Sequence, residues 1–213
     1  MTEDTRTRRR PAVSAADKLH RRDEIVAAAK KAFARNGFHA TTIADIAKGA
    51  GLAYGSVYHY FDSKEDLFHA LISAEEYALR THLAVAREAT GARPHQSWAS
   101  LRATVQATFE FFEIDAATAK LVFRDAYALG ESFERHLVEI SQRFVDDIEA
   151  RIVAAQAQGE VIPVSSRMAA YSMSALVGQL AHRRLIIDDG VTAAELADFV
   201  VLLVLNGLRP RDS

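Results

Sequence analysis

The stretch that decides the fold runs from Gly37 to Leu71, GFHATTIADIAKGAGLAYGSVYHYFDSKEDLFHAL. Its centre, Thr42 to Phe61, reads as two short helices joined by a tight turn. Thr42-x-x-Asp45 has the form of a capping box, in which a hydroxyl and a carboxylate each satisfy a free backbone N–H at a helix start. Ile43, Ile46 and Ala47 supply the buried side of this first short helix. Gly49-Ala50-Gly51 stops it, and Leu52 turns the chain back inward. The second short helix covers about Ala53 to Tyr60. At roughly 100° per residue, Val57 and Phe61 fall on its core side, with Ala53 and Tyr60 flanking. Gly55, Ser56, Tyr58 and His59 occupy the outward arc, and none of them is a carboxylate. Two short helices across a glycine-built turn follow the helix-turn-helix plan, in which the second helix enters the DNA major groove.

Working outward, a first helix is expected from Asp17 to Asn36, with Ile25, Ala29, Ala32 and Phe33 as an apolar stripe. Gly37 sits where a left-handed helix stop favours glycine. Ser63-x-x-Asp66 opens a long helix reaching about Ala89, and Gly91-Ala92-Arg93-Pro94 marks the clearest break in mid-chain. Beyond it the pattern predicts helices over 97–112, 115–129, 131–158, 166–187 and 192–206, the last opened by Thr192-x-x-Glu195. The fold class is therefore all-α, about nine helices. A basic arm is expected over 1–16, a three-helix helix-turn-helix domain over 17–66, and a helical domain for ligand binding and dimerisation over 67–213.

Composition narrows the options. The chain has 213 residues, 4 prolines, 10 glycines and no cysteine, which excludes disulfides, thiolate chemistry and cysteine-bound zinc. No apolar run approaches the roughly 20 residues that span a bilayer, and the charged start MTEDTRTRRRP lacks the apolar core of a signal peptide. A cytoplasmic protein with no membrane contact is expected. The net charge of −2 conceals a split: residues 1–64 carry 12 Lys/Arg against 7 Asp/Glu, whereas the remainder carries 14 against 21. A basic end joined to an acidic body suits a protein that meets a polyanion at one end.

Each outward residue also admits a plainer role. Gly55 lets the backbone approach a base edge, or relieves a tight internal contact; in a helix it costs about 1 kcal/mol relative to alanine. Ser56 donates to a base or phosphate, or is simply a solvated hydroxyl. Tyr54, Tyr58 and Tyr60 offer hydroxyls to phosphates while their rings pack. Thr42 presents a hydroxyl at a helix N-terminus, a natural phosphate site. Lys64 lies in a first turn, where a cation opposes the helix dipole and a neighbouring phosphate would relieve it.

The matching positions are Phe33, Gly37, Thr41-Thr42, Ile46-Ala47, Ala50-Gly51, Gly55, Val57-Tyr58, Tyr60-Phe61, Lys64 and Leu67. In these, residues 19–72 resemble the DNA-binding region of the TetR (TetR/AcrR) family of bacterial regulators. The family's usual small hydroxyl residue at the start of the recognition helix is replaced by Ala53, so that cap is lost. The resemblance implies that Thr42, Tyr58, Tyr60 and Lys64 hold phosphates while Tyr54, Gly55, Ser56 and His59 face bases, with Thr41 also among the DNA-binding residues. It also implies a double-stranded operator, a homodimer and a small effector. Arg6, Arg8, Arg9 and Arg10 would then be a minor-groove arm or a solubilising tail.

In the C-terminal part, Ala170, Ser174 and Gly178 recur every four residues and permit close helix approach, while Leu196, Phe199, Val200 and Leu203 form an apolar face. With the resemblance, these seven are the expected dimer interface. The aromatics Trp98, Phe109, Phe112, Phe123 and Tyr127, with Arg124, Tyr171 and His182 as polar anchors, are the expected lining of an effector cavity. Its ligand would be hydrophobic or aromatic, such as a fatty acyl thioester or a drug-like compound. No cofactor or metal is expected. Two rivals stand beside this reading. One is a helical enzyme, against which there is no nucleophile–base pairing, no H-E-x-x-H and no phosphate loop. The other is an architectural DNA binder, against which stand the acidic C-terminal part and the capacity for a dimer. The effector, the operator sequence and the direction of regulation stay open.

Overall fold

The computed structural model describes residues 14–91, 98–125 and 129–208. Among them the chain forms α1 (Ala15–Ala40), α2 (Ile43–Gly49), α3 (Tyr54–Val57), α4 (Lys64–Glu88), α5 (Trp98–Ile114), α6 (Ala116–Asp125), α7 (Glu131–Ala157), α8 (Ser166–Arg184) and α9 (Ala193–Leu208), with no strand. The all-helical expectation is met. The arginines at 6, 8, 9 and 10, the residue Tyr127 and the side chains of Trp98 and Arg124 lie outside what is described.

The helix starts follow the capping chemistry. Thr42 and Asp45 exchange both bonds of a capping box, and so do Thr192 and Glu195. Ser14 and Asp17 form a further one that opens α1 two residues earlier than expected. At Ser63 the hydroxyl caps Asp66 N–H at 3.0 Å, but the Asp66 carboxylate accepts from Asp62 N–H instead.

Gly37 breaks α1, though not with the left-handed stop expected. Its φ of 79° and ψ of 165° belong to a region open essentially only to glycine, and the chain then resumes helix to Ala40. The break frees carbonyls that side chains recover. Thr41 Oγ1 donates to Gly37 O at 2.7 Å and to Ala32 O at 3.2 Å. Lys64 Nζ donates to Phe38 O at 3.0 Å, Thr41 O at 3.1 Å and His39 O at 3.4 Å, and it sits 4.4 Å from the Phe38 ring centroid.

One core joins α1 to α4, built on Ile25, Phe33, Ile46, Val57, Leu67 and Phe68, and it continues into the body through Leu121 of α6 and Phe133 of α7. Phe133 packs edge-on to Phe68 at 5.4 Å and Phe38 at 6.1 Å, and stacks on His69 at 4.0 Å. Lys30 of α1 ties the same junction electrostatically, reaching Glu75 of α4 at 2.8 Å and Asp115 at 3.0 Å. A second core, around Phe109, Val145, Ala170, Ala197 and Val200, holds α5, α7, α8 and α9 together.

Candidate nucleic-acid interface and effector cavity

The second helix of the helix-turn-helix is shorter than its sequence suggests. Regular α-helix spans only Tyr54–Val57, and Ala53 provides no side-chain cap. The backbone continues in tighter turns, His59 N–H to Ser56 O and Tyr60 N–H to Val57 O, before Phe61 re-enters the core. Val57 and Phe61 are buried, and Tyr54, Gly55, Tyr58 and His59 are exposed on the opposite side. Ser56 and Tyr60 are half-buried, Tyr60 packing on the core of the head.

On the exposed side Tyr54 and Tyr58, one turn apart, form a pair the sequence reading had not joined. Their hydroxyls lie 3.1 Å apart and their rings 5.4 Å apart at 70°. That hydrogen bond is the main cause raising the Tyr58 phenol above its ordinary range. Two exposed cations flank the unit and were not singled out from sequence. Lys48 ends α2, and Arg22 of α1 lies over the Phe61 ring at 4.8 Å. Their signal was a basic residue in a last helical turn and one on the polar face of the first helix.

Three expected DNA contacts have other duties. Thr41 is 1% exposed, and its hydroxyl is spent on the carbonyls of the α1 break. It therefore presents nothing to a phosphate. Thr42 gives its hydroxyl to Asp45 at 2.6 Å and its N–H to the same carboxylate at 3.0 Å. These bonds hold Asp45 below the usual carboxylate range, the hydroxyl contributing most. The three N–H donors of Lys64 meet the three carbonyls described above, which is how an ammonium is tolerated in the first turn of α4.

The body encloses a cavity of about 520 Å³ between α4, α5, α7 and α8, of a size that suits a small-molecule ligand. Of the expected lining, Phe112, Phe123 and Tyr171 border it. Phe109 does not; at 1% exposure it is packed into the second core. His182 does not either, and it stacks on Phe123 at 5.0 Å. Tyr171 donates to Gln142 Oε1 at 3.0 Å. The structure adds five charged residues that an aromatic count misses: Arg80 and Arg87 of α4, Asp147 and Arg151 of α7, and Glu160 after it. Burial, then the neighbouring charge of Arg87, pulls the Arg151 guanidinium below its ordinary value.

The seven residues expected at a dimer interface divide. Ala170 and Val200 are fully buried within the chain, and Ser174 and Gly178 line the cavity, because the small-residue stripe of α8 faces inward. Leu196 packs partly on the second core. Phe199 and Leu203 stay about half exposed and are joined on the same face of α9 by Leu202. Among the described residues no group of three or more His, Asp or Glu is placed to hold a metal ion, and no helix is long and apolar enough to cross a membrane.

A helix-turn-helix head thus shares its core with a helical body that contains a ligand-sized cavity. Residues 25–71 match the model of the bacterial regulatory proteins of the tetR family. Over 62 residues, 29% of this chain and 30% of the relative, the chain is 44% identical to the transcriptional repressor KstR2 of Rhodococcus jostii. Over 115 residues, 50% of this chain and 47% of the relative, it is 33% identical to the transcriptional activator FasR of Mycolicibacterium smegmatis. Each match spans less than half the length of the relative. The transcriptional regulator FadR of Bacillus subtilis, solved with stearoyl-CoA, superposes with a TM-score of 0.74 at 20% identity, covering 87% of this chain and 98% of that one. At that identity the likeness concerns the fold.

Proposed function

We propose that the chain is a non-enzymatic, ligand-responsive repressor that binds a palindromic operator as a dimer and is released by a small apolar effector. The observation that carries this reading is the course of α4. One unbroken helix holds Lys64 under the helix-turn-helix at its start and contributes Leu79, Leu83 and Arg87 to the cavity wall near its end. A ligand that changes the packing of its second half therefore acts on the seat of the recognition unit. In the dimer, each subunit presents Tyr54, Gly55, Ser56, Tyr58 and His59 to successive major grooves, with half-sites roughly 34–36 Å apart. Lys48 and Arg22 take the phosphate role in place of Thr41 and Lys64. The exposed Phe199, Leu202 and Leu203 of α9 supply the two-fold contact.

The small-molecule part of the reading is supported by the apolar wall of the cavity and by a fold neighbour whose structure contains an acyl thioester. Selection of bound duplexes from a random pool by the purified protein tests the proposal. One palindromic motif is the expected result, and the absence of any motif at moderate salt overturns it.

A further inference from the structure

Helices α4 and α7 run parallel, and their side chains meet in a regular register of i to i+67. His69 faces His136, with Nδ1 atoms 2.9 Å apart. Two turns on, Glu76 accepts two hydrogen bonds from Arg143, at 2.7 and 2.6 Å. One turn further, Arg80 Nη2 meets Asp147 Oδ2 at 3.2 Å. Each rung so far pairs groups that attract or share a proton. The cavity end departs from this register: Arg87 and Arg151, 64 positions apart, both line the cavity and the charge of one bears on the other, while Asp147, which also acts on Arg151, is engaged by Arg80.

Both guanidiniums are half-buried, and among the described residues neither side chain has an ion-pair or hydrogen-bond partner. On the same wall Arg80 Nη1 is buried and has no hydrogen-bond partner. The other carboxylate on the wall, Glu160, is exposed to solvent beyond the end of α7. Elsewhere the wall is mostly apolar, with Leu83, Val105, Phe112 and Ile152 among hydroxyl residues such as Thr104, Thr108 and Ser141. Like charges that bear on one another in a partly buried site are expensive, and one anion between them would relieve that cost.

We infer that this end of the cavity is an anion subsite, and that the effector is an amphipathic anion: an apolar chain along the hydrophobic wall, ended by a carboxylate or phosphate held between Arg87 and Arg151. This rests on the cavity being the effector site, and it adds the charge of the ligand and the residues that read it. It also gives the ligand a direction of action, since an anion shared by the two arginines draws the end of α4 toward α7.

Displacement of Nile red, a neutral apolar dye, from the intact protein tests this, with decanoate, decanoyl-CoA and decanol as competitors and R87Q and R151Q as variants. Hydrogen bonds to charged groups set the scale. Each substitution should weaken the anionic competitor by about 10-fold or more while moving decanol by less than about 2-fold. R151K, which keeps the charge, should recover most of the loss. If decanoate carries the effect the anion is a free carboxylate, and if only decanoyl-CoA does it is a phosphate. Equal shifts for decanol and the anions, or no shift in either variant, overturn the anion subsite while leaving the cavity as an effector site. Nile red failing to enter overturns both. Should the variants not fold, decanol displacing the dye from the wild type far more effectively than either anion overturns the inference alone.

Discussion

Replacing Lys64 by methionine separates a structural lysine from a DNA-contacting one. The side chain is half-buried, and its ammonium donates to Phe38 O at 3.0 Å and Thr41 O at 3.1 Å, with a weaker bond to His39 O at 3.4 Å. A hydrogen bond from a charged donor contributes about 1.5–3 kcal/mol when buried. Discounting the two good bonds by about half for solvent leaves roughly 1.5–3 kcal/mol for the pair. The contact 4.4 Å above the Phe38 ring adds about 0.5 kcal/mol at such a site. Against this, removing a cation from a helix N-terminus returns about 0.3–1 kcal/mol. The net loss is about 2 kcal/mol, and at roughly 2–4 °C per kcal/mol for a chain of this size the melting temperature should fall by about 4–8 °C. The assay is calorimetry or circular dichroism on DNA-free protein, paired with operator binding at several salt concentrations. Losing a phosphate contact would lower the salt slope by about 0.9, whereas losing a structural cap leaves it unchanged. A variant that melts within about 1 °C of the parent and shows the reduced slope would refute the capping account.

Other perturbations address separate parts of the molecule. Thr41→Val keeps the shape of a fully buried side chain but strands the Gly37 and Ala32 carbonyls, so urea denaturation should show a loss of about 1–3 kcal/mol. Acidification acts through His136, which burial and then the charges of His69 and Arg143 hold below the ordinary histidine value, against Glu139 and Glu76. A group whose folded value is lowered stabilises the fold above its unfolded pKa of about 6.5 and loses that contribution as pH falls. The urea midpoint should therefore drop between about pH 7.5 and 5.5 and be flatter in His136→Gln; an equal slope in that variant rules the histidine out. Phe199→Glu with Leu203→Glu places charges on two half-exposed positions, so sedimentation should report monomer and operator affinity should collapse with the fold intact. A dimer surviving both substitutions would move the two-fold contact elsewhere.

How much of this was legible from sequence depended on whether a signal is local. The capping boxes at Thr42 and Thr192, the turn at Gly49 to Gly51 and the inward Val57 and Phe61 were all readable, because each depends on residues within one or two turns. Gly37 was recognised as a break, yet what the break does was not. Its freed carbonyls are met by Thr41 and by Lys64, 27 residues later, and no periodicity reports that pairing. Hence Thr41 and Lys64 read as DNA contacts. The stripe of Ala170, Ser174 and Gly178 shows the same limit from another side. Small residues every fourth position say that something comes close, not whether it is a second subunit or an internal cavity. The aromatic count succeeded for Phe112 and Phe123 and failed for Phe109, since core packing and cavity lining draw on the same residues. The charged rungs of α4 and α7 were invisible because their register is set only once both helices are docked.

That register also says where a signal must pass. Moving α4 along α7 requires the intermediate rungs to give, and the firmest of them is Glu76 with Arg143. Two parallel bonds join them, and the Glu76 side chain is only 11% exposed. A ligand acts solely through its preference for one arrangement, and fully reversing a 99:1 bias takes about 5.5 kcal/mol of preference. A rung that resists shear transmits displacement of the cavity end of α4 to Lys64; a rung that yields absorbs it. Glu76→Gln turns the charge-assisted pair into a weaker neutral acceptor, and since Arg143 is partly solvated the expected loss of stability is modest, about 1–2 kcal/mol. The larger effect falls on coupling. Measured on the operator recovered by selection, the ratio of DNA affinities without and with effector should shrink several-fold in E76Q, while effector affinity for the free protein changes little. An unchanged ratio would mean that the head senses the cavity by another route. Another physical link between them is the Phe133 contact with Phe38 and Phe68, where the same comparison would then be repeated.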